Sequence, residues 1–261
     1  MQTHPHVYAH RGGRLWAPEN TIAAFAKSLT ARAYGIELDV HRCKTKEIVV
    51  IHDGDAGGTT DGAGLIKDLT LAQIQQFSAG NRMSTEFAAE RVPLLTDVLD
   101  LIQGRLVINI EIKNFPDNYP GIDDDLLRIL SYYPYPQTIV LSSFDHEMVR
   151  FVHKKAPQFK TAICHSGMIS EPKRYAKRVG FSYMHPDFVT IRADHVQAAH
   201  EAGLAINCWT MNSQEQWLAA WEMRLDGIIT DNPAACLQYL STLPAWKPDV
   251  RSQKRWWQCS G

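Results

Sequence analysis

The feature that most constrains this chain is one repeated pattern: a short β-branched run, a loop, then a stretch of helical period. Val7-Tyr8-Ala9 is the first run, and a helix is predicted over about 22–33, with Asn20 or Thr21 able to cap it. Further runs lie at 35–40, 48–52, 106–113, 138–142, 161–164, 182–184, 204–209 and 227–230. Helices are predicted near 92–104, 123–131, 145–156, 172–179, 194–203, 213–223 and after Pro233. Strands that are each followed by a helix number about eight. This α/β alternation predicts a closed parallel (β/α)8 barrel, a TIM barrel, with reactive groups at the C-terminal ends of its strands. A doubly wound open sheet is the alternative, but the first strand-to-helix turn lacks the G-x-G-x-x-G that it usually brings.

The alternation breaks once. Between Asp53 and Leu94, Gly54, Gly57, Gly58, Gly62 and Gly64 interrupt any period, and only 71–77 looks helical. So long a structureless loop is unusual in a compact domain. The expectation is a small subdomain inserted after the second strand region, over the barrel mouth, mobile enough to act as a lid. The barrel domain would then occupy residues 1–242, with the insertion at about 53–94. A tail, 243–261, carries Trp246, Trp256 and Trp257 among Lys247, Arg251, Lys254 and Arg255. It is expected to pack over the barrel exterior, with contact to a membrane surface or a second subunit as the alternative.

Charged side chains end several of the strands. In Gly35-Ile36-Glu37-Leu38-Asp39-Val40 alternation puts Glu37 and Asp39 on one face, which in a parallel barrel points inward. The run 106–113 likewise ends in Glu111, with Lys113 facing the same way. Adjacent carboxylates need a cation, a shared proton or a basic neighbour. Three of them beside a lysine suggest a hard-cation site next to an anion site; ordinary pairing with Lys or Arg is the plainer alternative. His10 and His52 end two strand segments expected to be neighbours. A histidine pair flanking acids can supply a base for an attacking oxygen and an acid for a leaving one, while a single such histidine is commonly structural. Arg11 and Lys113 suit a phosphoryl oxygen, or else salt bridges to the same acids.

Whole-chain properties limit the partners. The formal net charge of −1 provides no global attraction for nucleic acid or anionic lipid. Five scattered cysteines without a C-x-x-C argue against a disulfide framework and a zinc-thiolate site. With no basic-then-apolar N-terminal segment and no run of transmembrane length, a cytoplasmic location without a stable membrane anchor is the default expectation.

Taken together, His10-Arg11-Gly12, Pro18-Glu19-Asn20-Thr21, Glu37-Leu38-Asp39-Val40, His52-Asp53, Ile110-Glu111-Ile112-Lys113, Trp209-Thr210-Met211-Asn212 and Asp226-Gly227-Ile228-Ile229-Thr230-Asp231 resemble the glycerophosphodiester phosphodiesterase family. The resemblance runs from about Tyr8 to Pro233. It implies a TIM barrel with an inserted subdomain. It also implies metal-dependent hydrolysis of glycerophosphodiesters, small molecules such as glycerophosphocholine or glycerophosphoethanolamine, to glycerol 3-phosphate and an alcohol. Carried onto this sequence, it places the metal, magnesium or calcium, on Glu37, Asp39 and Glu111. The acid and base fall on His10 and His52, in an order left open, and the phosphate contacts on Arg11 and Lys113. Trp209 is expected to line the glycerol or alcohol side, with core packing as its alternative. The chain departs from the family at Cys43-Lys44-Thr45-Lys46, after the E-x-D strand, and at Gly54-Asp55-Ala56-Gly57-Gly58, after His52-Asp53. Two rival functions remain. A sphingomyelinase D-like lipid phosphodiesterase is opposed by the long insertion and the unpaired cysteines, and a non-catalytic phosphodiester-binding protein by the completeness of the acids and histidines.

Overall fold

The computed structural model describes residues 2–246. In chain order its strands are β1 (His6–Ala9), β2 (Gly35–Arg42), β3 (Ile48–Val50), β4 (Val107–Ile112), β5 (Ile139–Ser143), β6 (Lys160–His165), β7 (Tyr183–Pro186), β8 (Ala205–Cys208) and β9 (Gly227–Thr230). All but β3 are parallel, and they close in the order β1-β9-β8-β7-β6-β5-β4-β2 with β2 returning to β1. The helices over the outside are α1 (Ile22–Thr30), α3 (Leu95–Ile102), α4 (Ile122–Leu130), α5 (His146–Lys155), α6 (Pro172–Val179), α7 (Ala193–Glu201), α8 (Gln214–Glu222) and α9 (Pro233–Leu240); a short α2 (Leu71–Ile74) lies in the insertion. The closed barrel is the predicted fold.

Strand alternation sorts the residues. Outward-facing Ile36, Leu38, Ile108, Ile110 and Leu141 pack with Phe25, Leu95, Val98 and Leu126 of the helices, and Ile163, Met184, Ile206 and Ile228 with Val179, Val196, Trp217 and Cys236. Inside, Tyr8 fills the space beside Gly35, where an added Cβ would meet the Tyr8 ring at 2.7 Å. Helix ends follow their sequence signals: Thr21 accepts from the Ala24 N–H, Asp145 from Glu147 and Met148, and Ser213 from Gln216.

Two expectations about the second strand region change. First, β3 is antiparallel to β2 through Val40↔Val50 and pairs with no other named strand, so His10 and His52 do not end neighbouring strands. Both β1 and β3 border β2, which lies between them. Secondly, β2 continues to Arg42 in order to pair with β3, which leaves Glu37 inside the strand rather than at its end. Residues 53–94 build a small core of their own from Ala56, Ile66, Ile74 and Val92 with Cys43, Val49 and Ile51. This unit is tied to the β2–β3 flank by Lys44 N–H to Leu69 O (2.9 Å) and Val50 N–H to Pro93 O (2.8 Å), and to the loop after β4 by the Lys67–Asp117 ion pair (2.8 Å).

The beginning of the tail lies across the barrel's underside. Trp246 donates from its backbone N–H to Thr3 O (2.9 Å) and from its indole to Trp221 O (3.0 Å). Lys247, Arg251, Lys254, Arg255, Trp256 and Trp257 lie outside the described residues. Among the described residues no helix is long and apolar enough to cross a membrane, and Cys43, Cys164, Cys208 and Cys236 are buried and unbridged.

Candidate active site

Strand register assembles the site at the C-terminal mouth. Ala9 pairs with Ile36 and with Thr230, so His10 stands level with Glu37 on one side and Asp231 on the other. Asp39 pairs with Glu111 across β2 and β4. Carboxylate oxygens of Glu37, Asp39 and Glu111 lie within 4.8 Å of one another, and all three residues are buried. Lys113 Nζ donates to Asp39 (3.0 Å) and Glu111 (2.5 Å). Arg11 occupies a left-handed turn (φ 49°), from which its backbone N–H donates to Glu37 (3.0 Å) and its guanidinium to Glu19 (2.7 Å). Gly12, at φ 83°, keeps that turn tight, because a Cβ there would meet Ala24 Cβ at 2.7 Å.

The electrostatics fit a cation between these acids. Burial first, and then Asp39 and Glu111, push the Glu37 carboxyl well above the usual range. Burial acts in the same sense on Asp39, but Lys113, Arg11 and His52 outweigh it and hold that carboxyl below its ordinary value. Lys113 in turn is raised, its burial outweighed by Asp39 and Glu111. With Glu37 ionised as well, three carboxylates would stand against two cations, an excess negative charge that its raised carboxyl reflects. A divalent ion held by Glu37, Asp39 and Glu111 would turn it into one excess positive charge, the complement of a phosphodiester. All-oxygen donors of this kind suit a hard cation. Two buried polar atoms beside the acids, Arg11 Nε and Asn109 Oδ1, have no hydrogen-bond partner, as expected where a polar ligand completes a site.

Each histidine is held by a carboxylate at Nδ1: His10 by Asp231 (2.6 Å), whose other oxygen accepts from Asn212 (2.8 Å), and His52 by Asp53 (2.7 Å). With Nδ1 engaged, the chemistry falls to Nε2. His10 Nε2 is 4.0 Å from Glu37. The His52 carbonyl is fixed by His41 Nε2 (2.9 Å), and the Tyr119 hydroxyl donates to His41 Nδ1 (2.6 Å). Trp209, directly after β8, donates its indole N–H to His185 O (2.7 Å) and meets Phe144 edge-on at 5.6 Å.

His10, Arg11, Glu37, Asp39, His52, Glu111, Lys113 and Trp209, the eight residues singled out in the sequence, all line one cavity of about 190 Å³. The sequence placed none of Asp231, Asn20, Asn109, His185 and Phe144 in the site. Asn20 shows why. As a loop residue beside Thr21 it looks like a cap, yet its side chain donates to Asp39 (2.9 Å) while Thr21 caps the helix. Asp231 could be inferred from its position just past β9, the strand that flanks β1. No residue of 54–94 is among those lining the cavity; the insertion packs against β2 and β3 and reaches the loop after β4 through Lys67–Asp117 (2.8 Å).

A closed barrel with an acid cluster, two carboxylate-held histidines and two half-buried cations at its mouth defines a metal-assisted hydrolase of phosphate esters. The chain belongs to the Glycerophosphoryl diester phosphodiesterase family, whose sequence profile matches residues 10–235. It is 38% identical over 228 residues to a glycerophosphodiester phosphodiesterase of Caldanaerobacter subterraneus subsp. tengcongensis, covering 87% of this chain and 94% of the relative. A glycerophosphodiester phosphodiesterase of Bacillus altitudinis is 34% identical over 231 residues, covering 87% and 94%. Among solved structures, a phosphodiesterase of Oleispira antarctica in complex with the product sn-glycerol-3-phosphate superposes with a TM-score of 0.84 at 24% identity, over 91% of this chain and 97% of that one.

Proposed function

We propose that this chain hydrolyses small glycerophosphodiesters to sn-glycerol 3-phosphate and an alcohol such as choline or ethanolamine, with magnesium or calcium held by Glu37, Asp39 and Glu111. The observation that carries the reading is the pair His10 and His52, each held at Nδ1 by a carboxylate and both lining the cavity that contains the acid triad. The bound ion would polarise a phosphoryl oxygen and offset the charge that builds on it. Arg11 and Lys113 supply the remaining positive charge; Arg11 Nε lies 3.5 Å from Asp39 without a hydrogen bond, and it is the guanidinium donor placed to take a phosphoryl oxygen. One histidine takes the proton from the attacking oxygen, and the other gives a proton to the alcohol oxygen as its bond to phosphorus breaks. Asp231 and Asp53 orient these rings. Trp209 forms a wall against the organic part of the substrate, with its indole plane fixed through His185 O.

Residues 1–242 form the barrel domain in this reading, with about 53–94 as a buttress on its flank. Four buried, unbridged cysteines suit a reducing compartment, the cytoplasm. The test is release of glycerol 3-phosphate from glycerophosphocholine and glycerophosphoethanolamine, with and without chelator. Release from both that stops on chelation supports the reading; failure to release it from any glycerophosphodiester overturns it.

A further inference from the structure

The two histidines at the mouth are anchored differently. His10 is held by Asp231, which stands just past another strand and is itself bound by Asn212. His52 is held by Asp53, its own neighbour in the chain, whose side chain is 41% exposed. A bond between neighbours orients the ring relative to its own backbone and leaves that backbone to be placed by something else. On one side of the pair, Ile51 N–H donates to Asp39 O (3.0 Å); on the other, Gly54 O accepts from Ile66 N–H (2.8 Å), within the insertion. Between them, among the described residues, one hydrogen bond ties His52 and Asp53 to the barrel: His41 Nε2 to the His52 carbonyl (2.9 Å).

His41 is suited to this by its place in β2. It follows Glu37 and Asp39 at a spacing of two, so a single strand carries two members of the acid triad and the side chain that holds His52. A carbonyl only accepts, so Nε2 carries the proton and the neutral ring offers the lone pair of Nδ1. The Tyr119 hydroxyl donates to that atom at 2.6 Å, with the two rings edge-on at 5.2 Å, and so fixes the tautomer. Both residues are 3% exposed, where water competes little for either bond. Tyr119 is set in turn by Asn114, which accepts from its backbone N–H (3.0 Å) and donates to Asp145 (2.8 Å), in the loop that begins at Lys113. The barrel uses the same arrangement at the end of β6: Tyr175 donates to His146 Nδ1 (2.6 Å), and His146 Nε2 to the Cys164 carbonyl (2.9 Å). There it braces a residue to which the proposed reaction gives no part.

On the reading above, in which His52 carries one of the two proton transfers, we infer that His41 and Tyr119 are positioning residues for His52: the Tyr119 hydroxyl selects the His41 tautomer, and His41 sets where the His52 backbone stands relative to the acid triad. Neither side chain lines the cavity. Their effect therefore falls on kcat, through the distance from His52 Nε2 to the reacting oxygen, and hardly on KM, which rests on Arg11, Lys113 and the ion.

The test measures glycerol 3-phosphate release from glycerophosphocholine by the full chain, with magnesium or calcium, in the parent and in single variants. His41→Leu should lower kcat by about 10-fold to 100-fold with KM within about twofold, the scale on which a small displacement of a catalytic group acts. His41→Gln, which brings an amide N–H close to the place of Nε2, should recover most of that loss. Tyr119→Phe should lower kcat by about 2-fold to 10-fold, the worth of one hydrogen bond. Tyr175→Phe, the same chemical change at the other pair, should leave kcat unchanged. In a His52→Ala background His41→Leu should cost nothing further, because the group it positions is gone. Apart from turnover, ring-nitrogen NMR of the parent should show His41 as the neutral Nε2–H tautomer, and the Nδ1–H form would overturn the inference. Full kcat in Tyr119→Phe or in folded His41→Leu, or an added loss in the His52→Ala background, overturns it and leaves the function standing. Should His41→Leu not fold, equal losses in Tyr119→Phe and Tyr175→Phe make both pairs parts of the fold and overturn it likewise. Normal turnover by His52→Ala removes the role of His52 and the inference with it; no release by the parent overturns the proposed function as well.

Discussion

Acid should destabilise this protein through His185. The ring is fully enclosed in the barrel between Asn109 and Asn207, and burial, reinforced by His165, lowers its pKa from 6.5 to about 3. The folded ring therefore stays neutral where the unfolded one takes a proton. Between those two values the unfolded state binds more protons, so stability is complete above pH 6.5 and falls as the pH drops towards 3. Going from pH 7 to pH 5, this one group costs about 2 kcal/mol, against a total that for a domain is typically about 5–15 kcal/mol. Urea unfolding followed by tryptophan fluorescence at the two pH values, on the parent and on His185→Gln, isolates the effect, because the other titrating groups cancel in the difference. The parent should lose about 2 kcal/mol more than the variant on acidification. Equal losses would mean that the buried ring is already protonated at pH 5 or that its site admits water, and the neutral assignment would fail.

Removing a ligand of the acid triad should remove metal dependence along with rate: Glu111→Gln should be nearly inactive and bind the ion more weakly by calorimetry, and an unchanged rate and metal demand would refute its assignment. His10→Ala and His52→Ala should each lower kcat by about 100-fold to 10,000-fold, the usual range for loss of a general acid or base, and near-normal turnover would return that histidine to a structural role. Asp231→Asn should lower kcat with KM nearly unchanged, because it leaves the phosphate contacts intact and loosens only the His10 ring; a rise in KM alone would place Asp231 in binding instead. Trp246→Ala should cost about 1–2 kcal/mol in thermal or urea unfolding without changing KM, since its indole N–H bond to Trp221 O and the packing around it are lost.

The local periodicities of this chain determined most of the barrel. β-branched runs of the right length, each followed by a capped helix, leave few architectures other than a closed parallel sheet, and period-two alternation in β2 and β4 already placed Glu37, Asp39, Glu111 and Lys113 inside it. These residues were legible because each acts close to its own place in a strand. Only the tertiary structure decided which distant groups meet them. Asp231 reaches His10 because β9 closes against β1, Asn20 reaches Asp39 because the first loop folds down over β2, and His41 fixes the His52 carbonyl because β3 turns back along β2. Contacts such as these depend on closure and register, which no spacing along the chain encodes. The insertion is the plainest case. Its glycines suggested a lid, but a glycine-rich stretch with enough Ile, Val and Ala builds its own small core, and that core docks where the outer edge of β3 pairs with it through Val49 and Leu94, which no signal inside the segment encodes.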